Sequence, residues 1–154
     1  MTVEVGSPAP DFALPDQHGE VVRLSDFRGE TNVALVFYPF AFSGICTGEL
    51  CEIRDNLSVF SDDDVQVVGI SCDPKHSLRA FAEAEKYDFP LLSDFWPHGD
   101  VAKAYGVFND RVGFAVRGSF LVDTEGVLRW SVVNGPGEAR PLAAYQEAIA
   151  TLGT

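Results

Sequence analysis

Six apolar residues in a row, Val33-Ala-Leu-Val-Phe-Tyr38, stop at Pro39, and a helical stripe begins a few residues later. A strand with two apolar faces cannot lie at a water-facing sheet surface, so it needs a cover on each side. The stripe supplies one cover. From Ser43 to about Phe60, the residues Cys46, Leu50, Ile53, Leu57 and Phe60 recur at steps of four, three, four and three, which places them on one helix face. A buried strand running straight into a helix is the beginning of an α/β architecture.

The rest of the chain extends that pattern. Ser7-Pro-Ala-Pro-Asp11 reads as extended backbone. Phe12 to Leu14 and Val21 to Leu24, separated by Asp16-Gln-His-Gly19, read as a short hairpin. Val65 to Ser71 is a second apolar strand, and Pro74 opens a helix carrying Leu78, Phe81 and Ala82. Asp100 to Tyr105 is a shorter helical piece before Gly106. Ser119 to Asp123 and Val127 to Val133 form another hairpin around Thr124-Glu-Gly126. Pro141 opens a last helix with Leu142, Tyr145, Ile149 and Leu152 on one face, and Gly153 ends it. With the first hairpin and an insertion over residues 91–115 set aside, the order is β-α-β-α-β-β-α. It predicts one domain over residues 1–154, a thioredoxin-like α/β three-layer sandwich with a central mixed sheet and an N-terminal β-hairpin extension.

Charge and composition exclude several classes of function. Eleven Lys+Arg against 23 Asp+Glu leave a net charge of −12, which repels phosphate backbones, so nucleic acid is not an expected partner. The apolar stretch from Val33 to Phe42 is too short for a bilayer and contains Pro39, so no membrane association is expected. The opening MTVEVGSPAPDF has neither a basic start nor an apolar run, so the expected location is the cytoplasm, where thiols stay reduced. Three cysteines make no disulfide framework, and at least one of them needs another use.

Cys46 is the informative one. It falls in the first turn of a helix that follows a buried strand, where backbone N–H groups have no helical partner and the helix dipole is positive. A thiolate gains from both. As the first member of the inward stripe, its sulfur is expected to face a partly covered pocket. The plain alternative is a small buried hydrophobe, the commonest use of a lone cysteine.

Pro39-x-x-x-Ser43-x-x-Cys46 resembles the active-site signature of the peroxiredoxins, the thiol peroxidases of the AhpC/TSA family. Further stretches match in the same order: Pro8-Ala-Pro-Asp-Phe12, Phe89-Pro-Leu-Leu-Ser-Asp94, Val101-Ala-Lys-Ala-Tyr-Gly-Val107 and Arg117-Gly-Ser-Phe-Leu-Val-Asp123. Phe42 to Leu50 and Ser93-Asp-Phe-Trp-Pro-His-Gly99 look most like the AhpE-type subgroup. The resemblance implies that Cys46 is the peroxidatic nucleophile, that Ser43 contacts sulfur and peroxide, that Pro39 shields the pocket, and that Arg117 is the family arginine. It also implies a hydroperoxide substrate, a thiol reductant (thioredoxin, another redoxin or a small thiol), no cofactor, no metal and a homodimer or larger homo-oligomer. The chemistry suits these residues. Negative charge moves from sulfur onto the leaving oxygen, a serine hydroxyl both donates and accepts, and a guanidinium holds the departing charge in a fixed fork. Lowering a thiol pKa from about 8.5 to about 6 gains roughly tenfold in thiolate near neutrality, part of which is lost in nucleophilicity. Enzymes accelerate reactions by ~10⁶ or more, so donors aimed at the breaking O–O bond must supply the larger share.

Each assignment has a simpler competitor. Ser43 is also a natural N-cap, Pro39 a strand terminator, and Arg117 a surface ion-pair residue. Glu49 lies three residues beyond Cys46 and neighbours it on the helix. A free carboxylate there opposes a thiolate, so Glu49 is expected to pair with Arg117 or Arg140, and it matches the family's supporting glutamate. Phe40 and Phe42 are candidates for an apolar mouth, with core packing the expected use of at least one. His18, His76 and His98 have no spacing that suggests general-base work, and Trp96-Pro97 reads as loop packing.

Cys51 departs from a one-cysteine pattern. Its C-x₄-C spacing from Cys46 is that of the resolving cysteine in the PrxQ-type subgroup. Five helical residues give about 140° of rotation and ~7.5 Å of rise, or Cα atoms roughly 8–9 Å apart. A disulfide needs less than about 7 Å, so a Cys46–Cys51 bridge requires the first turns of the helix to unwind. Cys72, at a strand end, is expected to be buried and inert, with a resolving role as the alternative. Two other functions are in play. One is a Cys₃His zinc module from Cys46, Cys51, Cys72 and His76, disfavoured by the helical register. The other is a dithiol–disulfide oxidoreductase, which usually shows C-x-x-C at the helix start.

Overall fold

In the computed structural model, residues 3–62, 64–134 and 140–152 are described, with the backbone alone for Ile45, Cys46 and Thr47. A short antiparallel hairpin comes first, β1 (Ala13–Pro15) paired with β2 (Val21–Arg23). Asp16 shapes its turn, its Oδ1 accepting from the N–H groups of His18 (2.8 Å) and Glu20 (3.0 Å). β3 (Asn32–Phe37) then forms the centre of a five-stranded sheet. β4 (Val65–Ser71) pairs parallel to β3, and β5 (Leu91–Ser93) parallel to β4. A small hairpin, β6 (Phe108–Asn109) with β7 (Phe114–Ala115), stands apart. β8 (Arg117–Val122) pairs antiparallel to β3, and β9 (Leu128–Asn134) antiparallel to β8. The order β5-β4-β3-β8-β9 is a mixed sheet.

The continuous apolar run on β3 divides between two cores. Ala34, Val36 and Tyr38 face one side, where they meet Leu50, Ile53, Phe60, Leu78, Phe81, Tyr145 and Ile149. Those residues come from α1 (Gly44–Asp55), α2 (Ser58–Ser61), α3 (Lys75–Glu85) and α5 (Leu142–Ala150). Val33, Leu35 and Phe37 face the other side, covered by Phe12, Leu14 and Leu24 from the N-terminal region and by Ala102 and Tyr105 at α4 (Asp100–Ala104). The result is the thioredoxin-like three-layer α/β sandwich, with the hairpin as an added piece of one outer layer.

Three expectations need correction. Residues 91–115 are not an insertion: Leu91–Ser93 is the sheet's edge strand, paired with Gly69–Ser71. Gly69 allows that approach, since a Cβ there would stand 2.8 Å from Leu91 Cδ2. Gln17 ties the first hairpin to the same place, its Oε1 accepting from the Leu91 N–H at 2.9 Å. The helix from Ser43 stops at Asp55 rather than Phe60. Asn56 breaks it with non-helical backbone (φ −129°, ψ 31°) and turns its side-chain amide back to the Glu52 carbonyl (2.8 Å). Asparagine competes for backbone groups in this way and favours helix ends. Trp96 is not loop packing, because it is 80% exposed. The expected stop at Gly153 lies outside the described residues.

Candidate active site

Tyr38 and Pro39 are buried at the end of β3, and the chain then turns through Phe40, Ala41 and Phe42. Phe42 has a positive φ of 68°, a conformation that needs outside support in a bulky residue. Asp73 supplies that support from the end of β4. Its Oδ2 accepts from the Ala41 N–H (2.8 Å) and from the Ser71 hydroxyl (2.7 Å). The turn delivers Ser43 in extended backbone as the N-cap of α1, yet its side chain makes no capping bond. An N-cap serine normally accepts from the N–H two or three residues on. Here Ser43 Oγ is buried and has no hydrogen-bond partner among the described residues. Cys46 is the third residue of α1, within the turn whose N–H groups lack helical acceptors. The expected direction of its sulfur lies outside the described side chains.

One turn further along α1, Glu49 is only 6% exposed and meets two buried arginines. Arg117, the first residue of β8, donates from Nη1 to Glu49 Oε1. Arg140 donates to Glu49 Oε2 from its backbone N–H (2.6 Å) and from Nε (2.9 Å), and to Oε1 from Nη2 (3.1 Å). Arg140 Nη1 meets the carbonyls of Phe37 (2.8 Å) and Gly118 (2.9 Å) and the hydroxyl of Ser119 (2.9 Å). Ser119 Oγ in turn bonds Tyr145 OH at 2.6 Å. Burial alone raises the Glu49 pKa, but the hydrogen bonds and charge of Arg140, joined by the charge of Arg117, overcome it and hold the carboxyl below its ordinary value. Glu49 therefore pairs with both candidate arginines rather than one. Arg117 is a buried residue, not a surface one. Sequence reasoning named Arg140 only as a possible partner; the usable signal was the demand of a buried Glu49 for positive charge.

The other two cysteines lie in different settings. Cys51 is half-buried on α1, its thiol 3.3 Å from Glu85 Oε2 and 3.5 Å from Tyr87 OH. Cys72 is buried. Desolvation, reinforced by the charges of Asp94 and Asp73, pushes its thiol up to about 12, despite a hydrogen bond from the Ala115 backbone. A thiol held protonated is a poor nucleophile. Cys51 packs on the core beneath α1, while His76 is exposed. Among the described residues, no three His, Cys, Asp or Glu side chains are placed to share a metal ion. Phe40 and Phe42 are both exposed, leaning on Phe114 and Phe81 respectively (ring centroids 4.9 Å apart in each pair), so neither is a core residue.

Residues 5–131 match the AhpC/TSA family. The chain is 47% identical over 150 residues to alkyl hydroperoxide reductase E of Mycobacterium tuberculosis, covering 97% of this chain and 98% of that protein. It is 40% identical over 130 residues to peroxiredoxin Bcp of Escherichia coli, covering 80% and 81%. Among solved structures, peroxidoxin BcpB from M. tuberculosis aligns with a TM-score of 0.84 at 35% identity, covering 98% of this chain and 97% of that one. The reduced 2-Cys peroxiredoxin of Plasmodium vivax aligns at 0.88 with 26% identity, covering 98% and 82%. The fold is that of thiol-dependent peroxidases, and this chain is one of them. It belongs to the AhpC/TSA family, as a peroxiredoxin of the AhpE/Bcp type. The zinc-module and dithiol-oxidoreductase readings are not favoured.

Proposed function

We propose that Cys46 is the peroxidatic nucleophile and that Ser43, Pro39, Arg117 and Glu49 serve it. The carrying observation is position: two buried arginines, Arg117 and Arg140, gather on Glu49 one turn beyond Cys46, and Cys46 itself lies in the first turn of α1. Nearby positive charge and the unpaired N–H groups of a helix's first turn both favour a thiolate over a thiol. The Cys46 thiolate attacks one oxygen of a hydroperoxide. The O–O bond breaks, and the other oxygen leaves with the electron pair and takes a proton as water or an alcohol. Cys46 is left as a sulfenic acid. The unspent Ser43 hydroxyl is suited to orient the peroxide, Arg117 to hold the leaving oxygen's charge, and Pro39 to keep water from the sulfur. Glu49 fixes the direction of Arg117, and Arg140 fixes Glu49.

The substrates we assign are hydrogen peroxide and organic hydroperoxides. The second rests on likeness to a protein named as an alkyl hydroperoxide reductase and on the exposed Phe40 and Phe42 flanking the turn before α1. Recycling falls to a thiol reductant, with Cys51 as the resolving thiol. Both cysteine positions lie within the continuous α1, so a bridge between them requires its first turns to unwind. A homodimer is our reading of the aromatic surface around the β6–β7 hairpin, where Phe40 leans on Phe114 and Phe95 on His98. The cytoplasm is the proposed location; no described helix is long and apolar enough to cross a membrane.

Stopped-flow oxidation of wild type, Cys46→Ser and Cys51→Ser, with mass spectrometry of the products, tests this reading. Cys46→Ser is expected to lose hydroperoxide consumption, and Cys51→Ser to accumulate a persistent sulfenic acid. Undiminished consumption by Cys46→Ser overturns the assignment of the nucleophile.

A further inference from the structure

Cys51 is held by a small polar cluster that peroxide chemistry at Cys46 leaves unused. α3 ends at Glu85, Lys86 follows in the left-handed conformation (φ 59°), and the Tyr87 N–H closes the turn on the Ala82 carbonyl (3.1 Å). That cap turns Glu85 and Tyr87 side by side toward α1. Glu85 Oε2 receives the Cys51 thiol at 3.3 Å, and Tyr87 OH stands 3.5 Å from the same sulfur. Tyr87 is packed between two rings, with Phe81 edge-on at 5.1 Å and Phe89 stacked at 5.2 Å. From α1 itself, Arg54 Nη1 donates to the Glu85 carbonyl (2.6 Å) and lies 3.8 Å from Glu85 Oε2, while Arg54 Nε pairs with Asp55 (2.9 Å). Glu85 and Tyr87 thus contact the sulfur, and Arg54 braces Glu85 from α1.

We propose that Glu85 is the proton acceptor for Cys51 when the disulfide forms, and that Tyr87 and Arg54 hold the pair in place. This rests on the reading of Cys51 as the resolving thiol. When the first turns of α1 unwind, Cys51 stays anchored to the end of α3 and the Cys46 sulfenic acid is carried to it. The Cys51 proton passes to Glu85 Oε2. The freed electron pair on Cys51 Sγ forms the S–S bond, the S–O bond of Cys46 breaks, and the hydroxyl leaves as water with a proton from solvent. Cys51 is oxidised, the Cys46 sulfur is reduced from the sulfenic state, and Glu85 later returns its proton to water. Burial, followed by the hydrogen bond to Cys51, keeps the Tyr87 phenol protonated, so it remains a donor to the sulfur as negative charge develops there.

An ordinary thiol is only ~3% ionised at pH 7, so a resolving thiol without a base works through that small fraction. The loss on removing the base is therefore bounded at roughly 10- to 30-fold near neutrality, and it closes as the pH approaches 9. The test uses one equivalent of hydrogen peroxide, with quenched-flow trapping of the sulfenic acid and mass spectrometry of the disulfide, on wild type, Glu85→Gln and Glu85→Asp. The ratio of disulfide formation to sulfenic acid formation is expected to fall 10- to 30-fold in Glu85→Gln at pH 7. It is expected to approach wild type by pH 9 and to recover in part in Glu85→Asp. A ratio that is unchanged, raised, or lowered equally at every pH overturns the proposal and leaves Cys51 as a resolving thiol. A wild-type protein that never forms the Cys46–Cys51 bond overturns both.

Discussion

Replacing Gly48 by alanine strengthens α1 where the proposed disulfide needs it weak. Gly44 and Gly48 bracket Cys46, and a Cβ on either would meet nothing within 4 Å. Neither has a positive φ, so neither space nor backbone conformation asks for glycine. Glycine inside a helix is less favourable than alanine by about 1 kcal/mol, from the extra chain entropy it surrenders. Gly48→Ala is therefore expected to raise global stability by about 0.4–1 kcal/mol, read from urea melts. If unwinding precedes bond formation, the same energy lowers the population of unwound helix, and 1 kcal/mol corresponds to about a fivefold change. Disulfide formation after one equivalent of peroxide is expected to slow by about two- to fivefold, while sulfenic acid forms at the wild-type rate. A variant that gains the stability but closes the disulfide at the wild-type rate refutes the reasoning, because the turn around Gly48 then need not open.

The arginine cluster makes the two arginines separable. Arg117→Ala leaves Glu49 with all its bonds to Arg140, so the fold is expected to survive while peroxide reduction falls by about 10²-fold or more. Arg140→Met leaves three acceptors and a buried carboxylate short of donors, at a cost of about 3–5 kcal/mol. Urea melts beside stopped-flow rates check the pair, and a reversed ranking contradicts the cluster's geometry. Asp94 gives a pH signature. Burial raises its carboxyl to about 6, against the opposing hydrogen bonds from the Ala102 and Val101 N–H groups. The native state thus keeps that proton over a range where the unfolded chain has released it. The group's stabilisation is full below pH ~4 and is lost as the pH rises to ~6, a change of about 3 kcal/mol. Asp94→Asn is expected to flatten this part of the stability curve; parallel curves for wild type and variant would count against it. Glu49 acts in the opposite sense, losing its contribution only as the pH falls below the ordinary carboxylate range.

What could be read from the sequence follows from what leaves a periodic trace. β3 and α1 were legible because an unbroken apolar strand and a four-three stripe are repeated signals, and β4 and the core face of α3 were legible for the same reason. β5 was not, since three residues are too few to show a period and its pairing depends on Gly69 leaving room for Leu91. The early end of α1 turned on one residue, Asn56, whose preference for helix ends is weak beside a continuing apolar stripe that α2 still satisfies through Phe60. Cys46 and Ser43 stood out by position, at a strand-to-helix junction where unpaired N–H groups favour an anion. Buried arginines leave no such trace. Arg117 is followed by Gly and Ser, and Arg140 by Pro, in segments that look like ordinary surface chain. Their burial comes from contacts 68 and 91 residues away in sequence. One local inference did reach them. A carboxylate a turn away from a nucleophilic sulfur has to be neutralised, so Glu49 called for a cation. The fold brings two, and only the three-dimensional arrangement reveals that the second, Arg140, also holds the end of β3 to the start of β8. The residue that orients the charge is the same one that binds the strands carrying it, so truncating the Arg140 side chain weakens both roles at once.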